Sequence, residues 1–526
     1  MSSKNLLMAS FRSMNLVSHN PKRDGGAEVP QVAKESLLDE ASQQEPLPEQ
    51  LNLKRELDLF SAVSLILSIM IGGGIFVSPS SALQRAGSVG EALIVWIVCG
   101  LLSLLGALAF AELSTVVPQS GAEYTYFRAA YSPLHKFWGP LPSFSFIWVV
   151  VLILRPAEGA IIILIFAEYV YQPVANIFDP QLCPLYQEYI KKIIALLALG
   201  ITTYINTRSV KLFVKMQNVL SSCKIVVCMI VIAGGIYNLS QGNIEHLSTG
   251  FEGSKTGIKD IILSLYSGLW TYDGWTSVSL VSEEVKNPQK NILRSILIAV
   301  PLVMVLFVMM NVAYMSVLTV PEMISVPAVA VAFGDRILGP LKFIIPVGVA
   351  LSSFSCSMAS QFGVARLTFA AGREGHMPEA LSYIHIHRYT PAPAVVLQGV
   401  LTSLFILSGR IVTLIEFASF LIWSFYGFAF TALIILRKTR PNALRPYKVP
   451  IGIPIFLALL SVVLAAVPIV MDPSPGHIGA VMFIILGFMV YYPLIYKGYK
   501  LPFAEKLYYL VQVVMEASPP TEIPKL

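Results

Sequence analysis

The sequence predicts an all-α integral membrane protein with twelve transmembrane helices. Three observations lead there. Of 526 residues, 55% are hydrophobic and only 13% charged, with a mean hydropathy of +0.69. That is too little charge to cover a soluble surface. Twelve apolar runs are long enough to cross a bilayer, at 59–79, 90–112, 141–173, 192–206, 218–238, 259–281, 295–319, 341–371, 393–409, 411–436, 449–471 and 478–496. Two of these runs, the first and the sixth, are interrupted by glycine.

The first run carries Ile71-Gly72-Gly73-Gly74-Ile75-Phe76. Each glycine costs a helix about 1 kcal/mol relative to alanine. In hydrocarbon an unwound backbone also loses its hydrogen-bond partners, so it is tolerated where it lines a cavity. Close packing of small residues against a neighbouring helix is the plainer alternative. The third run exceeds the ~20 residues that span a bilayer, so it is expected to tilt. The fourth and ninth runs are short. The sixth holds Tyr266-Ser267-Gly268-Leu269-Trp270-Thr271-Tyr272-Asp273-Gly274-Trp275. A repeat unit of five helices must insert its second copy upside down, so breaks in spans one and six occupy matching places in two inverted halves. Such a pair is a sequence signature of a transporter binding site.

The expected organisation is a disordered cytoplasmic tail over 1–53, a five-helix repeat over 54–240, and a second, inverted repeat over 241–437. Two further helices follow over 438–497, then a cytoplasmic tail over 498–526. With the N-terminus inside, the inner loops collect most of the loop cations. Arg208, Lys211 and Lys215 lie in one; Arg437, Lys438, Arg440, Arg445 and Lys448 crowd another. That bias places both termini in the cytoplasm. Asn238-Leu239-Ser240 is then a glycosylation sequon in an outer loop.

Several function classes are excluded. No basic stripe with interleaved aromatics is present, so nucleic acid is not a partner. The five cysteines form no C-x-x-C and no ligand spacing with histidine, so neither a metal site nor a cofactor is expected. Nothing resembles a nucleophile elbow, a Walker loop or a zincin helix, so an enzyme is not expected.

The two breaks suit a free amino acid. Gly72 to Gly74 leave N–H groups at a half-helix end, where the dipole favours a carboxylate, and Ile71 and Ile75 flank them. Carbonyls freed around Tyr266, Ser267 and Gly268 would take the ammonium group. Trp270 is a candidate lid over the substrate, or a packing residue. Asp273, an intramembrane carboxylate, either attracts a cationic side chain or pairs with an internal Lys or Arg. Arg155 and Glu158 share a helix face, as a buried ion pair or as a contact to substrate. Glu168, near the outer end of the same span, reads as interfacial. Lys224 sits ~13 Å into the fifth span, as a structural cation, a proton carrier or a snorkelling side chain. Arg366 reads as an end-of-helix charge, and His376, His385 and His387 as solvated loop residues. Cys183 is the one cysteine expected outside, either in an intermolecular disulfide or free.

Gly72 to Pro79, Phe110-Ala111-Glu112-Leu113, Ser120 to Tyr124, Leu269 to Trp275, Glu283 to Pro288, Ala328 to Phe333, Gly372 to Pro378 and Thr390 to Ala394 together resemble the light subunits of heteromeric amino-acid transporters. These belong to the amino acid–polyamine–organocation superfamily, and the resemblance runs over about residues 53–520. The form around Asp273 is most similar to the b-zero-plus type.

The resemblance implies a LeuT-like fold of inverted 5+5 repeats plus two helices. It implies sodium-independent exchange of cationic or neutral amino acids, with cystine as a further candidate, at the plasma membrane. It also implies a disulfide from Cys183 to a single-span glycoprotein heavy chain, a gate at Trp270, and Lys224 in the place a sodium ion takes in sodium-coupled cousins. Rival readings are a non-transporting sensor of the same fold, or a channel. Two departures stand out. Gly73 replaces the usual Ser, so Gly73→Ser is an expected tolerated change. Glu158 stands where a small polar residue is common.

Overall fold

A computed structural model describes residues 55–178, 183–255, 257–325, 329–408, 411–471, 475–499 and 504–520. The tail expected over 1–53 lies outside the described residues. Helix α1 (Leu59–Met70) opens with Asp58, whose carboxylate accepts from the Ser61 N–H at 2.8 Å, an N-cap that satisfies one orphan donor. Helix α2 (Gly74–Ala86) follows the break and ends on left-handed Gly87. Then come α3 (Val89–Val116) and the short α4 (Glu123–Tyr131). Helix α5 (Leu141–Val149) runs through a π turn, Val150–Leu154, into α6 (Arg155–Phe178). The wider turn falls directly ahead of Pro156, whose ring cannot fit an unperturbed helix interior.

Helices α7 (Pro184–Arg208) and α8 (Val210–Ser240) are separated by Ser209 alone, the cap of α8. Helix α9 (Ile258–Thr271) stops at the second break, and the single turn α10 (Ser277–Leu280) resumes after it. The chain continues through α11 (Pro288–Val317), α12 (Val329–Ile337), α13 (Ile344–Arg373), α14 (Ala392–Ser408), α15 (Ile411–Thr439), α16 (Gly452–Met471), α17 (Pro475–Tyr491) and α18 (Ala504–Met515). Strands β1 (Ile384–His385) and β2 (Ala517–Ser518) pair antiparallel, with Ile384 opposite Ser518.

Among the described residues, seven segments are long and apolar enough to cross a membrane. Four shorter apolar helices, including α1, accompany them. Helix α13 is the central column, packed by α1, α6, α7, α8 and α14, and most of its side chains are buried. Lipid-type exposure lies on the periphery instead, as at Leu197, Ile201 and Tyr204 of α7.

Three expectations need correction. Arg366 is not an end-of-helix charge. It is fully buried, its Nε donates to Glu284 Oε1 at 2.5 Å, and its guanidinium lies 3.6 Å from the Phe362 ring centroid. The segment after α10 is responsible. It turns beneath α13, bridges Leu57 through Val285, and presents Glu284 to the arginine. Nor are the histidines uniformly solvated. His376 is wedged between Tyr124 and Phe144, and His385 is covered because β1 pairs with β2; His387 alone of the three is exposed. Asn238 sits inside the last turns of α8 rather than in a loop. Its amide nitrogen donates to the Ser316 carbonyl at 2.6 Å, which occupies the atom a glycan would take.

Candidate functional site

The two interruptions meet at one cavity of about 70 Å3. At the first, Ile71 leaves the helical region and α2 restarts at Gly74. The carbonyls of Ile71 and Gly72, which α1 leaves over, both accept from Ser352 Oγ, at 2.7 and 3.3 Å. The N–H groups of Gly74 and Ile75, the first of α2, precede its hydrogen-bond ladder, whereas the Phe76 N–H already donates to Gly73 O at 3.2 Å. Gly74 lets the second break approach. A Cβ there would lie 3.2 Å from Thr271 and 3.5 Å from Trp270. At Gly73 an added Cβ would lie 3.1 Å from Ile165 and 3.3 Å from Ser353 Oγ, so a serine there requires Ile165 to shift by a few tenths of an ångström.

The second break lies one turn later than expected. Helix α9 continues through Thr271, so the carbonyls of Tyr266 and Ser267 belong to its ladder. The unwound stretch is Tyr272 to Thr276. Tyr272 N donates to Gly268 O at 3.0 Å and Asp273 N to Trp270 O at 3.2 Å. Gly274 has φ +116°, and a Cβ on it would come within 2.4 Å of Ile69, so this turn requires glycine.

Gly72, Gly73, Gly74, Glu158, Trp270 and Asp273 line the cavity. Five other candidates do not. Ile71 and Ile75 are packed in the core. The Tyr266 hydroxyl turns away to the Leu464 carbonyl, and Ser267 bonds back to Leu263 O. Gly268 is a packing glycine, with room for only a hydrogen beside Cys99 Sγ. The cavity adds residues the motif reading did not select: Thr271, then Cys356 and Ser360 of α13, and Ile161, Ile162 and Ile165 of α6. The α6 set was findable, because 158, 161, 162 and 165 fall on one helix face.

The charges converge on Arg155. Its Nη1 lies 2.8 Å from Glu158 Oε2 and 3.9 Å from Asp273 Oδ2, and Tyr426 donates its hydroxyl to Asp273 Oδ1 at 2.5 Å. Two carboxylates thus face one guanidinium. Arg155 and Glu158 form the expected ion pair and also line the cavity wall. Behind the first break, buried Lys224 donates to the Ser68 carbonyl at 2.5 Å. Ser68 in turn contacts Ser221 and Ser355, which joins the end of α1 to α8 and α13. The Lys224 side chain is thus buried and bonded inside the helix bundle and does not reach a membrane edge, as a snorkelling side chain would. Cys183 is exposed just before α7. Glu168 pairs with Lys191 at 2.6 Å, in a half-exposed contact away from the cavity. Among the described residues no cluster of His, Cys, Asp and Glu has the arrangement of a metal site.

Most of the chain is similar to known proteins. The amino acid permease family model matches residues 57–493. Human b(0,+)-type amino acid transporter 1 is 39% identical over 492 residues, which is 93% of this chain and 98% of the relative. The human cystine/glutamate transporter is 37% identical, covering 90% of this chain and 93% of its own length. Human large neutral amino acids transporter small subunit 2 is 35% identical, covering 85% and 82%.

Proposed function

This chain belongs to the amino acid permease family, and from that premise we propose that it is a sodium-independent exchanger of amino acids. Cationic and neutral L-amino acids are its substrates, with cystine as a further candidate, carried by alternating access. One observation carries the reading: two helix interruptions five spans apart meet at a single cavity that also holds two carboxylates. The start of α2 supplies N–H groups for the substrate carboxylate. The end of α9, rather than its middle, supplies the carbonyls for the amine. A cationic side chain extends toward Glu158 and Asp273, and Trp270, against Gly74, closes the cavity as a lid. Lys224 replaces a coupling cation, which removes the need for sodium.

The fold that serves this is twelve spanning helices in a LeuT-like arrangement of two inverted five-helix repeats, followed by α16 and α17. Both termini are cytoplasmic and the protein works at the plasma membrane. It is a light subunit, joined through Cys183 to a single-span glycoprotein heavy chain. Exposed Cys183 at a helix start supports that role, and the similarity to transporter subunits supports it further. The test is an uptake panel in proteoliposomes with arginine, lysine, leucine and cystine, in sodium and in choline. Uptake of arginine and leucine at equal rates in both salts is the expected result. Strict dependence on sodium would overturn the proposal.

A further inference from the structure

A second, larger cavity of about 430 Å3 lies away from both breaks, where the α7–α8 junction, the loop between α13 and α14, and the residues after α18 meet. Its wall carries three permanent cations, Arg208, Lys211 and Arg388, together with His385 and His387. Ser209 also lines it, so the N-terminal end of the 31-residue helix α8 opens into the same space. Two carboxylates, Glu56 and Glu516, oppose these groups. Glu56 holds Lys211 only loosely, at 3.9 Å. The three cations outnumber the two carboxylates in this wall. Burial first, and then the charge of Arg388, keep the His385 imidazole below its ordinary value, with Glu516 acting against them and His387 and Arg208 with them.

The surroundings of this cavity are greasy. Leu197, Ile201 and Tyr204 are 65%, 53% and 62% exposed, and their spacing puts them on one face of α7. Continuing that spacing by four residues reaches Arg208, so an outward apolar stripe runs directly into a cavity cation. On the other side, α18 leads into Glu516 and leaves Leu507, Leu510 and Val514 more than half exposed. Cationic floor and apolar rims match an amphiphile, and basic pockets at the cytoplasmic ends of spanning helices suit phosphorylated headgroups.

We propose that this cavity binds the phosphomonoester headgroup of an anionic lipid of the cytoplasmic leaflet. Arg208 and Arg388 clamp the phosphate oxygens, which guanidinium forks match bidentately. The N–H groups at the start of α8 add donors. The acyl chains run along the Leu197–Ile201–Tyr204 stripe. This rests on the cytoplasmic placement proposed above, but binding in detergent does not, so the two fail separately.

The experiment measures binding of fluorescent phosphatidylinositol 4,5-bisphosphate to the purified full chain in detergent micelles. Soluble inositol 1,4,5-trisphosphate and fluorescent phosphatidylcholine serve as the comparison ligands. The bisphosphate lipid binds and phosphatidylcholine does not. Each of Arg208→Ala and Arg388→Ala weakens binding about fivefold, as expected for one cation near a charged headgroup. Lys342→Ala, an exposed cation elsewhere, leaves it unchanged. Glu56→Gln, which relieves competition for Lys211, tightens it and keeps the test alive if an arginine variant unfolds. Equal binding by the arginine variants, or no tightening in Glu56→Gln, overturns the site. Competition by the soluble trisphosphate at the same concentration as the lipid overturns the lipid assignment in favour of a free phosphate ester.

Discussion

Replacing Glu158 with glutamine tests what this chain's extra carboxylate does. The side chain keeps its volume and loses its charge. In the native cavity Glu158 and Asp273 face Arg155 at 2.8 and 3.9 Å, which leaves one net negative charge for a substrate. The variant leaves none. For a substrate cation seated about 6 Å away, at an effective dielectric of about 20, the lost attraction is roughly 2.8 kcal/mol. The three side chains are 14%, 11% and 15% exposed, so solvent screening reduces this. A loss of about 1.4 to 2.8 kcal/mol corresponds to a tenfold to hundredfold rise in KM for arginine and lysine. Leucine has no charge to lose and should change by less than about threefold. The assay is initial uptake of labelled arginine and leucine by the same vesicles, normalised to protein in the membrane. A parallel loss of both substrates would refute the reasoning. Glu158 would then be a counter-ion that holds Arg155 in place, and the double variant Arg155→Met, Glu158→Gln should restore leucine uptake.

Four further outcomes follow from the geometry. Gly274→Ala forces a Cβ to within 2.4 Å of Ile69 at φ +116°, so little folded, transporting protein should survive in a size-exclusion and uptake assay. Lys224→Ala removes the donor that ties the Ser68 carbonyl to α8; exchange should fall severely, and unchanged exchange between pH 6 and 8 would remove both its structural and its proton-carrying roles. Cys183→Ser should abolish a high-mass band that reducing agent otherwise splits, and survival of that band would end the disulfide assignment. Burial, helped by Arg128, lowers the His376 imidazole to about 3. The unfolded chain therefore binds more protons between about pH 6.5 and 3, and stability declines as pH falls through that window. Thermal unfolding of His376→Phe should show a flatter acid limb, and an identical limb would show that other groups set it.

Much of this was legible in the sequence because the expensive residues advertise themselves. Gly72-Gly73-Gly74 could only be a break or a close contact, and the structure makes it both: the helix stops, and Gly74 admits Thr271. Asp273 at membrane depth pointed to the cavity wall for the same reason. The second break lies one turn beyond its expected place, because Gly268 and Gly274 look alike in sequence. Only the backbone distinguishes them: Gly268 is helical and spares room for Cys99, whereas Gly274 has a positive φ. Arg366, inside α13, and His376, in the loop after it, depart from expectation because the burial of a side chain depends on what folds over it. Glu284 and Tyr124 come from segments distant in sequence, and no local pattern announces them. The cavity around Arg208 was invisible for the same reason. In sequence its cations are ordinary loop charges, and only the fold brings the α7–α8 junction beside Arg388.

The central claim is exchange, and counterflow measures it most directly. Proteoliposomes loaded with labelled arginine are diluted into buffer with or without unlabelled leucine outside. An exchanger releases label rapidly when leucine is present and holds it when leucine is absent. Efflux at the same rate in both buffers would contradict the account.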